Sequence, residues 1–149
     1  MKFEILQVER AHLSEIAALE ALSFSEPWSE NALTLFLSGD AVAFAAVEGE
    51  RVLGYIGMLL APDEGQILNL AVLPEARRNG IAKALVARLL EEATARELAS
   101  LSLEVRVSNA PAIRLYESCG FSIAGIRKGF YRRPIEDALV MTKTLSHPI

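Results

Sequence analysis

Residues 66 to 96 join three signals without a break: a short apolar run, a basic turn carrying a glycine, and a long amphipathic stretch. The turn lies within Leu70-Ala-Val-Leu-Pro-Glu-Ala-Arg-Arg-Asn-Gly-Ile-Ala82. This order predicts a strand that ends near Pro74, a turn, and a helix that opens at Gly80 and continues to about Arg96. The first turn of a helix leaves backbone N–H groups unpaired and carries the positive end of the dipole, so it attracts anions such as phosphate. Gly80 puts no side chain in the way of a close approach, and Arg77, Arg78 and Lys83 add positive charge. The same segment also fits a basic, solvated turn in any α/β protein, so by itself it leaves both readings open.

The remaining pattern alternates short strands with helices. Residues 3–8 read as a strand. Ala11 to Leu22, with apolar residues at 13, 16, 17 and 19, reads as an amphipathic helix. Ser29 is placed to cap a second helix through about Leu37. Residues 41–48 and 51–61 form a hairpin, and the run Ile67 to Val72 looks buried on both faces. Leu101 to Val107 alternates cleanly, a helix from about Asn109 stops at Gly120, and strands near 121–127 and 137–145 flank a loop over 129–134. At 149 residues this predicts a single domain of class α/β.

Charge and composition narrow the function. The net charge is −4, so the basic turn points to a local phosphate and not to nucleic acid. Charged or turn residues interrupt every apolar run before it reaches membrane-spanning length, and the N-terminus lacks a signal-peptide pattern, which predicts a cytoplasmic protein. The one cysteine, Cys119, has no histidine near it in sequence and reads as a packing residue. His12 and His147 lie near opposite ends of the chain, and no cluster has metal-ligand spacing, so no metal is expected.

Two further positions, Glu104 and Tyr116, can carry chemistry. On the strand 101–107 the apolar residues face one way while Ser102, Glu104 and Arg106 face the other. Glutamate is disfavoured in strands, so Glu104 is either part of a solvent-facing Glu/Arg ladder or a carboxylate in a cleft, poised to take a proton from an amine. Tyr116 lies seven residues, two helical turns, after Asn109, so the two share a helix face. It serves either as a packed ring or as a proton donor. Asn109 and Pro111 mark the helix start. Trp28 reads first as a core anchor beneath a loop.

Taken together, Asn69-Leu-Ala-Val72, Arg78-x-Gly80-x-Ala82, Leu103-Glu-Val-Arg-x-Ser-Asn109, Ala112-Ile-x-Leu-Tyr116 and Gly120-Phe121 resemble the GNAT acetyltransferases in order and spacing. Pro27-Trp-Ser29, Tyr131 and Glu136-Asp-Ala-x-x-Met141 extend the resemblance to the RimI type, which acetylates the N-terminal alanine of a ribosomal protein. Ala82 stands where many members have glycine, and Phe130-Tyr131 replaces a commoner Tyr-Tyr pair.

The resemblance implies a mixed, mostly antiparallel sheet flanked by helices, with acetyl-CoA as cosubstrate. Leu70, Ala71 and Val72 would meet its pantetheine arm, and Arg78, Asn79, Gly80, Ile81, Ala82 and Lys83 would wrap its pyrophosphate, with Asn109 as a further contact. Glu104 would be the general base and Tyr116 the general acid. Trp28, Asn69 and Tyr131 would touch the acceptor, the N-terminus of ribosomal small-subunit protein eighteen. Two other functions remain open: acetylation of a small-molecule or lysine amine, and a non-catalytic acyl-CoA-binding module.

Overall fold

The computed structural model describes residues 1–145, so His147 lies outside the described residues. Its strands are β1 (Glu4–Gln7), β2 (Ala41–Glu48), β3 (Arg51–Leu60), β4 (Glu64–Val72), β5 (Ser100–Arg106), β6 (Ser122–Arg132) and β7 (Ile135–Thr144), and its helices are α1 (Leu13–Ser23), α2 (Ile81–Ala95) and α3 (Ala110–Ser118). The strands form one sheet in the order β1-β2-β3-β4-β5-β7-β6. Every pairing is antiparallel except β4–β5, which α2 connects. This is the mixed, mostly antiparallel sheet that the resemblance implies. No described helix is long and apolar enough to cross a membrane.

The centre of the sheet is buried on both faces. Alternate residues of β2 enter different cores: Val42, Phe44 and Ala46 pack with Leu85, Val86 and Leu89 of α2, whereas Ala43, Ala45 and Val47 pack with Leu13, Ile16 and Leu19 of α1. Full burial of one such Leu or Ile side chain is worth about 1.5–3 kcal/mol, which locks both helices onto the sheet.

The parallel pair positions the site. Its register runs only from Glu64↔Ser100 to Ile67↔Leu103, after which the two strands part. On the other side of β4, the register with β3 shifts so that Gly57 pairs with Asn69 and Met58 with Ile67, leaving Leu68 as an extra, bulged residue. Ile67 and Leu70 then join the α2-side core, while Leu68 turns to the α1 side, where the Asn69 side chain also meets α1. The run 67–72 is therefore not buried on both faces: Ile67 and Ala71 are buried, but Leu68, Asn69, Leu70 and Val72 are half-exposed along the split.

Two further expectations change. Ser29 does accept a bond from Ala32 N at 3.1 Å, yet the segment it caps, Ala32–Leu37, is a 3-10 helix and not an α-helix. The segment is pinned by Leu33 and Phe36, and the Phe36 ring lies so close over Gly57 that an added Cβ there would clash with it. The loop expected over 129–134 is mostly strand: β6 runs on to Arg132 and turns through Arg133 and Pro134 straight into β7. Exposed residues on an edge strand carry no burial pattern, which is why the alternation failed there.

Candidate active site

Two adjoining cavities occupy the split. The first, of about 450 Å³, lies where β4 meets the start of α2. Leu70, Ala71, Val72, Arg78, Gly80, Ile81, Ala82, Lys83 and Asn109, which the resemblance assigns to the cosubstrate, border it. Asn79 does not, because its Nδ2 donates to Ala76 O and Arg77 O, both at 3.0 Å, and so holds the turn together. Ile81 faces the core with its side chain, so only its backbone serves the cleft. Asn109 caps α3 by accepting from Ala112 N at 3.2 Å, which leaves its amide nitrogen for a ligand.

Backbone geometry makes this cleft receptive. Arg78 (φ +65°) and Gly80 (φ +76°) are both left-handed, which folds the turn tightly onto the N-terminus of α2. Among the described residues no strand pairs with the β5 side of β4 beyond Ile67, so the polar backbone groups there can bond an extended, amide-bearing ligand.

The second cavity, of about 570 Å³, continues from the first, sharing Ser23, Phe24, Leu70, Asn109 and Ala112 with it. Glu104, Tyr116, Asn69, Trp28 and Tyr131 all border it. Residues from α1's loop, β4, β5, α3 and β6 thus converge on one space.

Glu104 is not part of a Glu/Arg ladder with its strand neighbour Arg106. Its Oε2 accepts from Gln66 Nε2 at 3.0 Å, and its Oε1 lies 3.7 Å from Arg127 Nε. Its side chain is only 13% exposed, so it faces the cavity and not bulk solvent. Tyr116 packs edge-on against Phe121, with ring centroids 5.5 Å apart, so the packing reading of its ring holds. Its hydroxyl, however, has no protein partner, and no buried side-chain N or O atom among the described residues lacks one. The hydroxyl therefore opens onto the cavity. Burial of the ring, with Cys119 and Tyr131 nearby, pushes its pKa well above the usual phenol value, so it carries its proton at neutral pH.

The β6–β7 hairpin forms the far wall. Arg106 holds it, donating to Arg133 O (3.0 Å), Pro134 O (3.0 Å) and Glu136 Oε1 (3.1 Å), with its guanidinium 4.3 Å above the Tyr131 ring. Across the cavity, Ser25 Oγ donates to Arg133 O at 2.6 Å. Hairpin and loop thereby meet over the acceptor space.

The sequence reading missed Glu20. This residue of α1 is fully buried, and burial raises its pKa against the opposing effect of its hydrogen bonds. Trp28 N donates to Oε1 at 2.9 Å, and Tyr55 Oη and Asn69 Nδ2 (2.9 Å) donate to Oε2. The signal was available: positions 13, 16 and 20 form one helical stripe, and an acid on an apolar stripe requires buried partners.

The acetyltransferase (GNAT) family model matches residues 13–121. The chain belongs to the GNAT family of acetyltransferases. The [ribosomal protein bS18]-alanine N-acetyltransferase of Escherichia coli K12 is 33% identical over 144 residues, covering 95% of this chain and 97% of that protein. The crystal structure of the Escherichia coli ribosomal-protein-S18-alanine N-acetyltransferase superposes with a TM-score of 0.91 at 32% identity, covering 99% of this chain and 97% of that one. The NatC complex bound to Gag peptide and CoA has a chain with TM-score 0.86 and 25% identity, covering 98% and 100% respectively. As a GNAT protein the chain is an acetyl-CoA-dependent acyltransferase, and the left-handed turn beside an unpaired strand edge fits that donor.

Proposed function

We propose that this GNAT enzyme acetylates protein N-termini, its acceptor being the alanine N-terminus of ribosomal protein bS18 in the cytoplasm. One observation carries the reading: the Glu104 carboxylate and the unpaired Tyr116 hydroxyl border one cavity, continuous with the donor cleft. The Escherichia coli relative and its crystal structure, both named for that acceptor, support the choice of substrate.

Bound acetyl-CoA supplies a thioester carbonyl carbon for the amine to attack, so a C–N bond forms and the C–S bond breaks. Glu104 takes the proton that the amine nitrogen must lose, directly or through a water, while Gln66 holds the carboxylate in place. Tyr116, which holds its proton at neutral pH, gives it to the departing sulfur. Arg78 to Lys83 and the free edge of β4 orient the donor. An α-amine suits this small machinery: its reference pKa is about 7.7–8.0 against about 10.4 for lysine, so freeing it at neutral pH costs roughly 3–4 kcal/mol less. A non-catalytic acyl-CoA-binding module would use the donor cleft but have no use for a carboxylate and a phenol beyond it.

The deciding experiment incubates the protein with acetyl-CoA and two peptides, one beginning with alanine and the other the same sequence with its N-terminus blocked and lysines present. Mass spectrometry should find acetylation at the first N-terminus only. Acetylation of the blocked peptide on lysine at a comparable rate would overturn the assignment.

A further inference from the structure

The buried Glu20 plays no part in the proton transfers of Glu104 and Tyr116, yet it touches the acceptor wall in two places. It holds the backbone of Trp28 and the amide of Asn69, both of which border the acceptor cavity. Three donors and no acceptor face its carboxyl group: Trp28 N, Tyr55 Oη and Asn69 Nδ2. A carboxylate offers only lone pairs, so the end of Asn69 turned toward it must be the NH₂. The Tyr55 hydroxyl, having given its own proton to Glu20, also receives Asn69 Nδ2 at 3.3 Å. Both bonds fix the same amide orientation. A planar amide has two ends, so Oδ1 is left pointing away from Glu20 and without a protein partner. Because no buried, partnerless side-chain oxygen exists among the described residues, Oδ1 is open to the cavity. The bulge at Leu68 is what places Asn69 on this face.

We infer that Asn69 Oδ1 accepts a hydrogen bond from an N–H of the acceptor's amino end, and that Glu20, directly and through Tyr55, is the positioning residue that keeps this oxygen turned to the cavity. The inference rests on the proposed N-terminal acceptor. An ammonium or amine carries more N–H groups than Glu104 can engage, and a neutral carbonyl oxygen takes one without competing for the proton. Removing the Glu20 carboxyl group would leave three buried donors without an acceptor, which costs more than the net value of one bond.

Glu20→Gln separates this role from mere packing. The new NH₂ faces the Tyr55 and Asn69 donors, so the Asn69 amide flips, bonds through Oδ1 and presents its NH₂ to the acceptor. The expected result is a KM for the alanine-starting peptide raised about tenfold, the scale of one charge-assisted bond, with a smaller change in kcat and no more than a twofold change in the KM for acetyl-CoA. Asn69→Asp alone sets two carboxylates face to face and should also lose acceptor binding. When Asn69→Asp is combined with Glu20→Gln, the introduced carboxylate can bond the new amide with one oxygen and offer the other to the amine, so the double variant should recover the acceptor KM. An unchanged acceptor KM in folded Glu20→Gln, or no recovery in the double variant, overturns the inference. Should Glu20→Gln not fold, Asn69→Leu deletes Oδ1 at similar size, and an unchanged acceptor KM there overturns it equally. If the wild type acetylates only the blocked, lysine-bearing peptide, the N-terminal assignment fails. The same KM comparison on that peptide then decides the role of Asn69.

Discussion

The donor cleft and the acceptor cavity adjoin, but they are built in different ways. The donor cleft comes mainly from one contiguous segment, β4, the turn and the start of α2, and works largely through backbone: a free strand edge, two left-handed residues and a helix N-terminus. The acceptor cavity is assembled from side chains far apart in sequence, such as Trp28, Gln66, Glu104, Tyr116 and Tyr131. Backbone devices tolerate sequence change around them and suit a donor common to a whole family. Side-chain cavities change with each residue and suit an acceptor that distinguishes one member from another.

The contrast predicts that acceptor-side substitutions leave donor binding intact, and the reverse. Glu104→Gln should have the largest effect, lowering kcat by roughly 10²–10⁴-fold while calorimetry shows unchanged acetyl-CoA affinity. The wild-type rate should rise with pH and level off near about 8–9 as an α-amine loses its proton, and the glutamine variant should recover part of its activity at the alkaline end. Equal loss of donor affinity in this variant would break the division.

Tyr116→Phe keeps the ring against Phe121 and removes only the hydroxyl. A fall in kcat near 10²-fold, at the lower end for a lost general acid, is expected. A fall of less than about fivefold, with chemistry limiting turnover, would make Tyr116 a packing residue alone.

Gly80→Ala tests the other side. At φ +76° a side chain costs about 1–2 kcal/mol, so the turn should relax and acetyl-CoA affinity should weaken by about tenfold. The acceptor KM at saturating donor should not move. Unchanged acetyl-CoA affinity in the folded variant would remove the turn from the binding site.

The smallest effect concerns the hairpin wall. Hydrogen bonds from Ser108, aided by Arg106, hold the Glu136 carboxyl below its ordinary pKa. The unfolded chain therefore binds more protons on the acid side, so this contribution is present above about pH 4.5 and lost as the pH falls through the folded value. Glu136→Gln should melt slightly earlier than wild type at pH 6, and the gap should close at acid pH, where the native side chain is also neutral. A gap that persists at acid pH would assign the effect to shape and not to charge.

Most of the donor side was legible in the sequence, because strand, turn and helix signals are local and Arg78-x-Gly80-x-Ala82 sits within one turn. For Asn79, spacing does not show that its side-chain amide is already engaged by Ala76 and Arg77. On the acceptor side, strand alternation placed Glu104 on the polar face, and helical spacing placed Tyr116 with Asn109. Neither could show that Glu104 meets Gln66 and Arg127 while Arg106 turns to the hairpin. The helical stripe marked Glu20 as an acid that needs buried partners, but not which ones, because they are 8, 35 and 49 residues away.

The sequence by itself determined the element order, the basic turn before a helix, and the faces on which Glu104 and Tyr116 lie, because periodicities of two and 3.6 residues and turn preferences act over a few residues. Only the tertiary structure decided that β4 bulges at Leu68 and parts from β5 after Ile67, that the β6–β7 hairpin closes the far wall, and that a buried acid turns one oxygen of Asn69 toward the acceptor. Those features depend on strand register and on hydrogen bonds between distant residues, which form only once both cores have packed against the sheet.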